Sequence, residues 1–428
     1  MTSRDEAWAL LQRIEEKGEF ATTVLRDGAG DGQEDRFVRT IVLGVLRWRS
    51  LLDALIESLA ERPIKKIDQR VVQILRIGIF QLLEMNAPAY AAISETVELA
   101  GRQARRAKGF VNAVLRKAST TDLRSLIPPG NGIREVAVRL AHPPWMLQRW
   151  RKEFGEARML AIAQANQRHS FPDLLVNTQR WTVDAAAAEL TEKGVAFERS
   201  ELSARALKLS GSTRELADLI EGGFIYPMDE GSMAVASLVP SNADTVLDLA
   251  AAPGGKSLAM ALDGRRVISH DLSLSRLLPL KRTAQRFGLP VQIATGNGEL
   301  PPFVDRSFDV VLLDAPCSAT GTLRKSPEIK WRLTESMLPA FAELQRRLLA
   351  RALDLTRSEC IYSTCSLEPE ENQHVVDAVL STRTDFERAD IAENASGNVR
   401  AWIEDGILHL TPESGADGFT AIRLRRRA

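Results

Sequence analysis

Cysteine is scarce: Cys317, Cys360 and Cys365 are the three in the chain. None forms a CxxC pair, and five scattered histidines complete no zinc-type spacing. Neither a disulfide framework nor a metal site is therefore expected. So few thiols in a long chain fit a reducing cytoplasm. Long apolar runs are also missing. A membrane-spanning helix needs roughly 18–20 uncharged apolar residues, and the best candidate, residues 71–85, is interrupted by Arg76. The opening Met-Thr-Ser-Arg-Asp-Glu lacks the basic and apolar regions of a secretory leader. No repeat or low-complexity tract occurs. Net charge is absent too, with 56 Lys/Arg against 56 Asp/Glu, and neutrality alone argues neither for nor against a nucleic-acid partner.

What is present is a globular composition, 44% apolar and 26% charged over 428 residues. That length suggests two to four domains at about 100–200 residues each. The charge is unevenly placed. Residues 1–170 hold 27 Lys/Arg against 20 Asp/Glu, and the rest hold 29 against 36. A basic front on an acidic back suits a polyanion partner for the front, although uneven solvated charge would look the same.

Residues 1–140 read as helical. Ser3 with Glu6 suggests a capping box ahead of an apolar run. Residues 67–84 are apolar on nearly all sides, the pattern of a helix in the middle of a bundle, ended by Asn86-Ala87-Pro88. A further helix is expected over residues 91–117, carrying Arg102, Arg105, Arg106 and Lys108, which face either phosphates or solvent. Pro128-Pro129-Gly130-Asn131-Gly132 is the strongest breaker cluster and places a domain boundary nearby. A helical connector follows over 141–170, then a small α/β module over 171–235 with a strand at Leu174–Asn177 and a helix at Thr182–Glu192. Ser212 with Glu215 suggests a second capping box, for a helix that Gly222-Gly223 stops. From 236 to 428 strands alternate with helices: Thr245–Ala250, Arg266–His270, Val291–Ala294, Asp309–Leu313, Cys360–Ser363 and Thr420–Arg425. Short apolar strands without strict alternation predict a doubly wound parallel sheet covered on both faces.

The first of these strands runs into Asp248-Leu-Ala-Ala-Ala-Pro-Gly-Gly-Lys256. A strand, a glycine turn and a helix start form a ligand site, because the backbone approaches closely and free N–H groups point at the ligand. The string is neither a P-loop nor GxGxxG, so a nucleoside triphosphate or dinucleotide is not favoured. Asp271, 23 residues after Asp248 and at the end of the second strand, is placed to bind a ribose diol. Asp314-Ala-Pro-Cys317-Ser and Thr364-Cys365-Ser lie just past the fourth and fifth strands. If those strands are neighbours, two thiols and an acid converge where open α/β sheets bind ligands. Cys360, mid-strand, reads as an inert core thiol.

These strings resemble the Nop/Sun family of RNA 5-methylcytosine methyltransferases: Ala-Ala-Pro-Gly-Gly-Lys256, Asp314-Ala-Pro-Cys-Ser-Ala-Thr-Gly321, and Thr364-Cys-Ser followed by Glu368-Pro-Glu-Glu-Asn372. Leu75-Arg-Ile-Gly-Ile-Phe-Gln-Leu-Leu, Ala92-Ile-Ser-Glu-Thr-Val-Glu-Leu-Ala and Phe110-Val-Asn-Ala-Val-Leu-Arg-Lys resemble the NusB-type helical domain that precedes the catalytic part in one bacterial branch. The resemblance covers nearly the whole chain. It implies a multidomain protein: an all-α NusB-like RNA-binding domain, a small α/β RNA-binding module and a Rossmann-like class I methyltransferase domain. It implies S-adenosylmethionine as methyl donor, lined by Ala250, Ala251, Ala252, Pro253, Gly254, Gly255, Lys256, Asp271, Asn297 and Asp314, with no metal. It implies Cys365 as nucleophile, Cys317 in product release and Asp314 holding the base. The substrate implied is small-subunit ribosomal RNA, and a monomer is the default.

Chemistry agrees with the thiols but does not choose between them. Carbon 5 of cytosine is a poor nucleophile until a thiolate adds to carbon 6, and either cysteine could do this. Asp314, protonated or sharing a proton with ring nitrogen 3, would stabilise the adduct. Three positions depart from the family pattern: Ala250 and Leu175, where Cys and Arg are usual, and Asn297, where Asp is usual. An Asn carbonyl can still accept from an adenine amino group. Methylation of transfer RNA or of another ribosomal RNA site, and a non-catalytic RNA-binding assembly role, remain as alternatives. The Arg425-Arg426-Arg427 tail is a further candidate phosphate contact.

Overall fold

A computed structural model of the chain describes residues 2–28, 32–85 and 88–427. It separates into two compact units, Met1–Arg168 with Leu323–Leu333, and His169–Thr322 with Thr334–Ala428. Among the described residues no helix is long and apolar enough to cross a membrane.

The first unit is helical. Helix Gln69–Leu83 is buried at every residue from Val71 to Gln81, as an all-round apolar pattern requires. Arg76, the charge that interrupts that run, is buried with it and is met by Asp53 at 2.6 Å and Glu15 at 3.0 Å. The first helix is capped one residue earlier than the Ser3/Glu6 reading. Thr2 accepts from the Asp5 N–H, and the Asp5 side chain accepts from the Thr2 N–H. The single helix expected over 91–117 is two, Ala89–Gln103 and Lys108–Thr120, because Ala104 leaves helical geometry at φ −147°. Arg102 is held by Asp5 at 3.0 Å and Lys108 by Glu98 at 2.7 Å, whereas Arg105 and Arg106 are exposed. Asn86 and Ala87, expected to end the buried helix, lie outside the described residues. The unit continues past the Pro-Pro-Gly-Asn-Gly turn through helix Pro144–Ala165, which breaks at Gly155.

Leu323–Leu333, which in sequence interrupts the C-terminal half, belongs to this helical unit. Lys330 is buried there, and its ammonium donates to the carbonyls of Arg47 at 2.8 Å and Ala141 at 2.7 Å. Arg47 closes helix Gln33–Arg47, so its carbonyl belongs to the negative end of the helix dipole. Burial, and then the charge of Arg47, push the Lys330 ammonium well below its ordinary range. Trp331 Nε1 donates to the Leu46 carbonyl at 2.6 Å, and the Glu328 carboxylate accepts from the Ala21 N–H at 3.0 Å.

The second unit holds two sheets. The smaller has four antiparallel strands: β1 (Asp173–Val176), β2 (Phe197–Arg199), β3 (Ala206–Leu209) and β4 (Ile225–Pro227), in the order β2-β3-β1-β4. Helix Val183–Glu192, capped by Thr182, buries Ala186, Ala187 and Leu190 within this module's core. After the Ser212/Glu215 pair the chain makes a 3-10 turn and then the short helix Ala217–Glu221, and Gly223 follows at φ 73°.

The larger sheet comprises β5 (Thr245–Asp248), β6 (Arg266–Asp271), β7 (Gln292–Thr295), β8 (Phe308–Asp314), β9 (Thr356–Thr364), β10 (Phe386–Ala389), β11 (Ile403–Glu404), β12 (Ile407–Leu410) and β13 (Phe419–Arg426). Its order is β11-β12-β13-β9-β8-β5-β6-β7, with β10 beside β13. Strands β5 to β9 are parallel, as expected from the alternation of strand and helix. The sheet as a whole is mixed, because β13 runs antiparallel to β9. β13 returns to β9 only after helix Gln373–Leu380 and three short strands, and the sequence pattern carries no mark of strand direction. The terminal arginines lie at the end of β13, an interior strand. Arg426 donates to Asp385 at 2.6 Å and to the Leu353 and Thr356 carbonyls, and Arg425 pairs with Glu393 at 2.7 Å. Arg426 is packed against the sheet, whereas Arg425 stays half-exposed beside Glu393 and Arg427 exposed beside Glu387.

Candidate active site

The site is assembled at the carboxyl ends of β5, β6, β8 and β9. After β5 the backbone turns sharply through Ala250-Ala251-Ala252-Pro253-Gly254-Gly255 into helix Gly255–Leu262. Gly254 adopts φ 109°, and a Cβ there would meet Leu280 at 2.6 Å, so only glycine fits. The turn is tied to β6, since Ala251 N–H donates to the His270 carbonyl at 2.8 Å and Ala252 N–H to Asp271 Oδ2 at 3.2 Å. Asp271 is itself buried and lies at the carboxyl end of β6. Asn297 is exposed in the turn after β7, and its Oδ1 accepts from the Glu299 N–H at 3.0 Å.

Asp248, under the turn, went unassigned in the sequence. One carboxylate oxygen accepts from Ser257 Oγ at 2.6 Å, and the other is buried without a hydrogen-bond partner. Burial pushes this acid up to about 7, against the Ser257 hydrogen bond and with help from the Asp314 charge. An orphaned buried carboxylate oxygen beneath a glycine turn is a site for a polar or cationic ligand group.

Strands β8 and β9 are neighbours in parallel register, with Asp314 opposite Ser363. Cys317 and Cys365 are thereby brought together, with their Sγ atoms 3.3 Å apart. Asp314 accepts from Lys256 Nζ at 2.7 Å and from Ser363 Oγ at 2.9 Å. Lys256 joins the glycine turn to the thiols: it is buried, lies 4.6 Å from the Phe419 ring centroid and is 3.3 Å from Ser232 Oγ. Burial lowers the tendency of its ammonium to stay charged. The charge and hydrogen bond of Asp314, then the charge of Cys365, outweigh this and leave it above its usual range. The Cys317 thiol is pushed well up, first by its hydrogen bond to Cys365, then by burial and by the charges of Cys365 and Glu371. Cys317 therefore keeps its proton beside the Cys365 sulfur. Cys360 is fully buried within β9 and its thiol is raised by burial alone.

The two thiol loops are laced to each other. Gly321 N–H donates to the Cys365 carbonyl at 2.9 Å, and Gly418 N–H to the Gly321 carbonyl at 2.8 Å. A Cβ on Gly321 would lie 2.3 Å from the Gly418 carbonyl oxygen, which explains glycine in Ala-Thr-Gly. Glu371, fully buried, accepts from both loops. It lies inside the Glu-Pro-Glu-Glu-Asn string, and no spacing rule connects it to Cys317, because the link runs across the sheet.

Comparison with known proteins places this arrangement. Residues 235–425 match the description 16S rRNA methyltransferase RsmB/F, residues 1–120 the NusB family, and residues 142–214 the RsmF/B-like ferredoxin-like domain. The ribosomal RNA small subunit methyltransferase B of Escherichia fergusonii is 32% identical, over 99% of this chain and 98% of that protein. The probable ribosomal RNA small subunit methyltransferase B of Bacillus subtilis is 29% identical over the same shares. A methyltransferase homolog protein from Pyrococcus horikoshii is 26% identical at a TM-score of 0.56, covering 70% of this chain and 100% of that one. In fold alone, the crystal structure of PH0851 agrees at a TM-score of 0.80, 23% identical over 99% of this chain and 98% of that one. With relatives of this identity matching end to end, and with all three regions matching in order, the chain belongs to the 16S rRNA methyltransferase RsmB/F family.

Proposed function

We propose that this chain methylates carbon 5 of a cytosine in small-subunit ribosomal RNA, with S-adenosylmethionine as donor and Cys365 as nucleophile. The observation that carries the reading is the pair of sulfurs 3.3 Å apart beside the 2.7 Å Lys256–Asp314 ion pair. Bound S-adenosylmethionine supplies an electrophilic methyl group. The glycine turn Ala250–Gly255, Asp271 and Asn297 would line it, and the orphaned Asp248 oxygen beneath the turn fits a ligand with polar groups.

The other roles follow from the side chains. Cys365 adds through its sulfur to carbon 6, which makes carbon 5 enamine-like and able to attack the donor's methyl group. Asp314, paired with Lys256, is placed to hydrogen-bond the cytosine amino group or ring nitrogen 3. After methylation a base such as solvent takes the carbon 5 proton, its electron pair re-forms the 5,6 double bond, and the carbon 6–sulfur bond breaks to release Cys365 as thiolate. Cys317, holding its proton 3.3 Å away, hydrogen-bonds to the departing thiolate. Attack needs the face of the base, so the cytosine must leave its stack. The helical unit and the small antiparallel module each bind RNA.

The test is methyl transfer from labelled S-adenosylmethionine to small-subunit ribosomal RNA. Cys365→Ala should lose all transfer, and Cys317→Ala should accumulate a covalent RNA–protein adduct. Full activity in Cys365→Ala would overturn the nucleophile assignment. No transfer by the native chain to any RNA would favour a binding-factor role.

A further inference from the structure

The geometry points to Glu371 as a positioning residue that sets the separation of the two thiols through one buried carboxylate. This rests on the two-cysteine reading above. Glu371 Oε1 accepts from the Ser318 N–H at 2.8 Å and from Gln345 Nε2 at 3.0 Å. Its Oε2 accepts from the hydroxyls of Ser318 and of Ser366, the latter at 2.5 Å. Ser318 follows Cys317 and Ser366 follows Cys365. One rigid, fully buried group therefore touches the residue after each sulfur-bearing residue.

The frame is braced on its outer sides. Gln345 Nε2 also donates to the Pro316 carbonyl at 2.9 Å, so Cys317 is held from the residue before it and the residue after it. The Glu371 carbonyl accepts from Tyr362 Oη at 2.5 Å, which fixes the acid against β9. Asn372 donates to the Ser366 carbonyl at 2.9 Å, closing the turn that carries Cys365. Without Glu371 the Ser318 N–H loses its acceptor in a dry interior and its loop relaxes toward another one. A shift of one ångström between two groups that must act in sequence is enough to cost rate.

All four donors onto the carboxylate are neutral, and two are hydroxyls that can reverse direction. A carboxamide in the same place can keep its oxygen toward the Ser318 N–H and Gln345. Its amide hydrogens then face hydroxyl oxygens that turn to accept. A positioning role therefore tolerates Glu371→Gln and not Glu371→Ala. A proton-transfer role would tolerate neither.

The experiment reads the thiol geometry without RNA. Phenylarsine oxide bridges two thiols only when they are close, and peptide mass mapping identifies the bridged pair. Expected for Glu371→Ala is a loss of Cys317–Cys365 bridging by about tenfold or more, and a fall in kcat of similar size. Dissociation of S-adenosylmethionine should stay within about twofold, and Glu371→Gln should restore most of both bridging and turnover. Native-like bridging in Glu371→Ala, or a Glu371→Gln chain as inactive as Glu371→Ala, overturns the proposal. If Glu371→Ala does not fold, the Ser318→Ala/Ser366→Ala double variant is read by the same criteria. The bridging readout stands whether or not Cys365 is the nucleophile, so failure of the two-cysteine chemistry shows separately, as activity in Cys365→Ala.

Discussion

Replacing Asp248 by Asn should remove a pH dependence from the stability of the catalytic unit. Asp248 is 1% exposed and its acid titrates at about 7, against about 3.9 for an unfolded aspartate. Between those values the folded state binds the proton and the unfolded state does not. Stability therefore falls as pH rises through this window and is recovered toward low pH. Integrating the linkage from pH 5 to pH 8 gives a loss of about 2–3 kcal/mol in the native chain that Asp248→Asn does not suffer. For a unit of this size, that is a relative shift of roughly 5–10 °C in Tm. The assay is calorimetric or urea unfolding of both chains at several pH values without ligand, comparing differences so that other carboxylates cancel. Parallel pH profiles for the two chains would refute the reasoning. They would mean that Asp248 is already ionised at pH 5 and that its orphaned oxygen meets water or another donor.

Two further outcomes are expected. Gly254→Ala, forced to φ 109° and to within 2.6 Å of Leu280, should destabilise the catalytic unit by roughly 2–4 kcal/mol and abolish measurable S-adenosylmethionine binding, checked by urea unfolding and calorimetry. Arg105→Gln with Arg106→Gln, both exposed, should reduce the slope of log K for RNA against log salt by about one to two, whereas Arg102→Gln, held by Asp5, should leave that slope unchanged.

The catalytic half was unusually readable because its chemistry sits at strand ends. A β-branched run followed by a fixed string locates a side chain at the edge of a sheet, whatever packs behind it. That logic named Cys317, Cys365, Asp314, Asp271 and the glycine turn, and the parallel register of β8 and β9 brings the thiols within 3.3 Å. It did not reach Asp248 or Glu371. A buried acid is legible only through what surrounds it, and their surroundings are set by neighbouring strands and loops. The small missed strands β10 to β12 are two to four residues long, too short for periodicity to register.

The helical front, the strand–helix alternation, the glycine turn and the position of the two thiols at strand ends were legible in the sequence, because these depend on local patterns and residue types. Tertiary structure alone decided three things: that β13 returns antiparallel beside β9, that Leu323–Leu333 lodges in the helical unit with Lys330 buried on two carbonyls, and that Lys256 reaches Asp314. Each joins residues 58 to 283 positions apart or fixes a strand's direction, and such pairings are chosen by the packing free energy of the whole fold, which leaves no local signature.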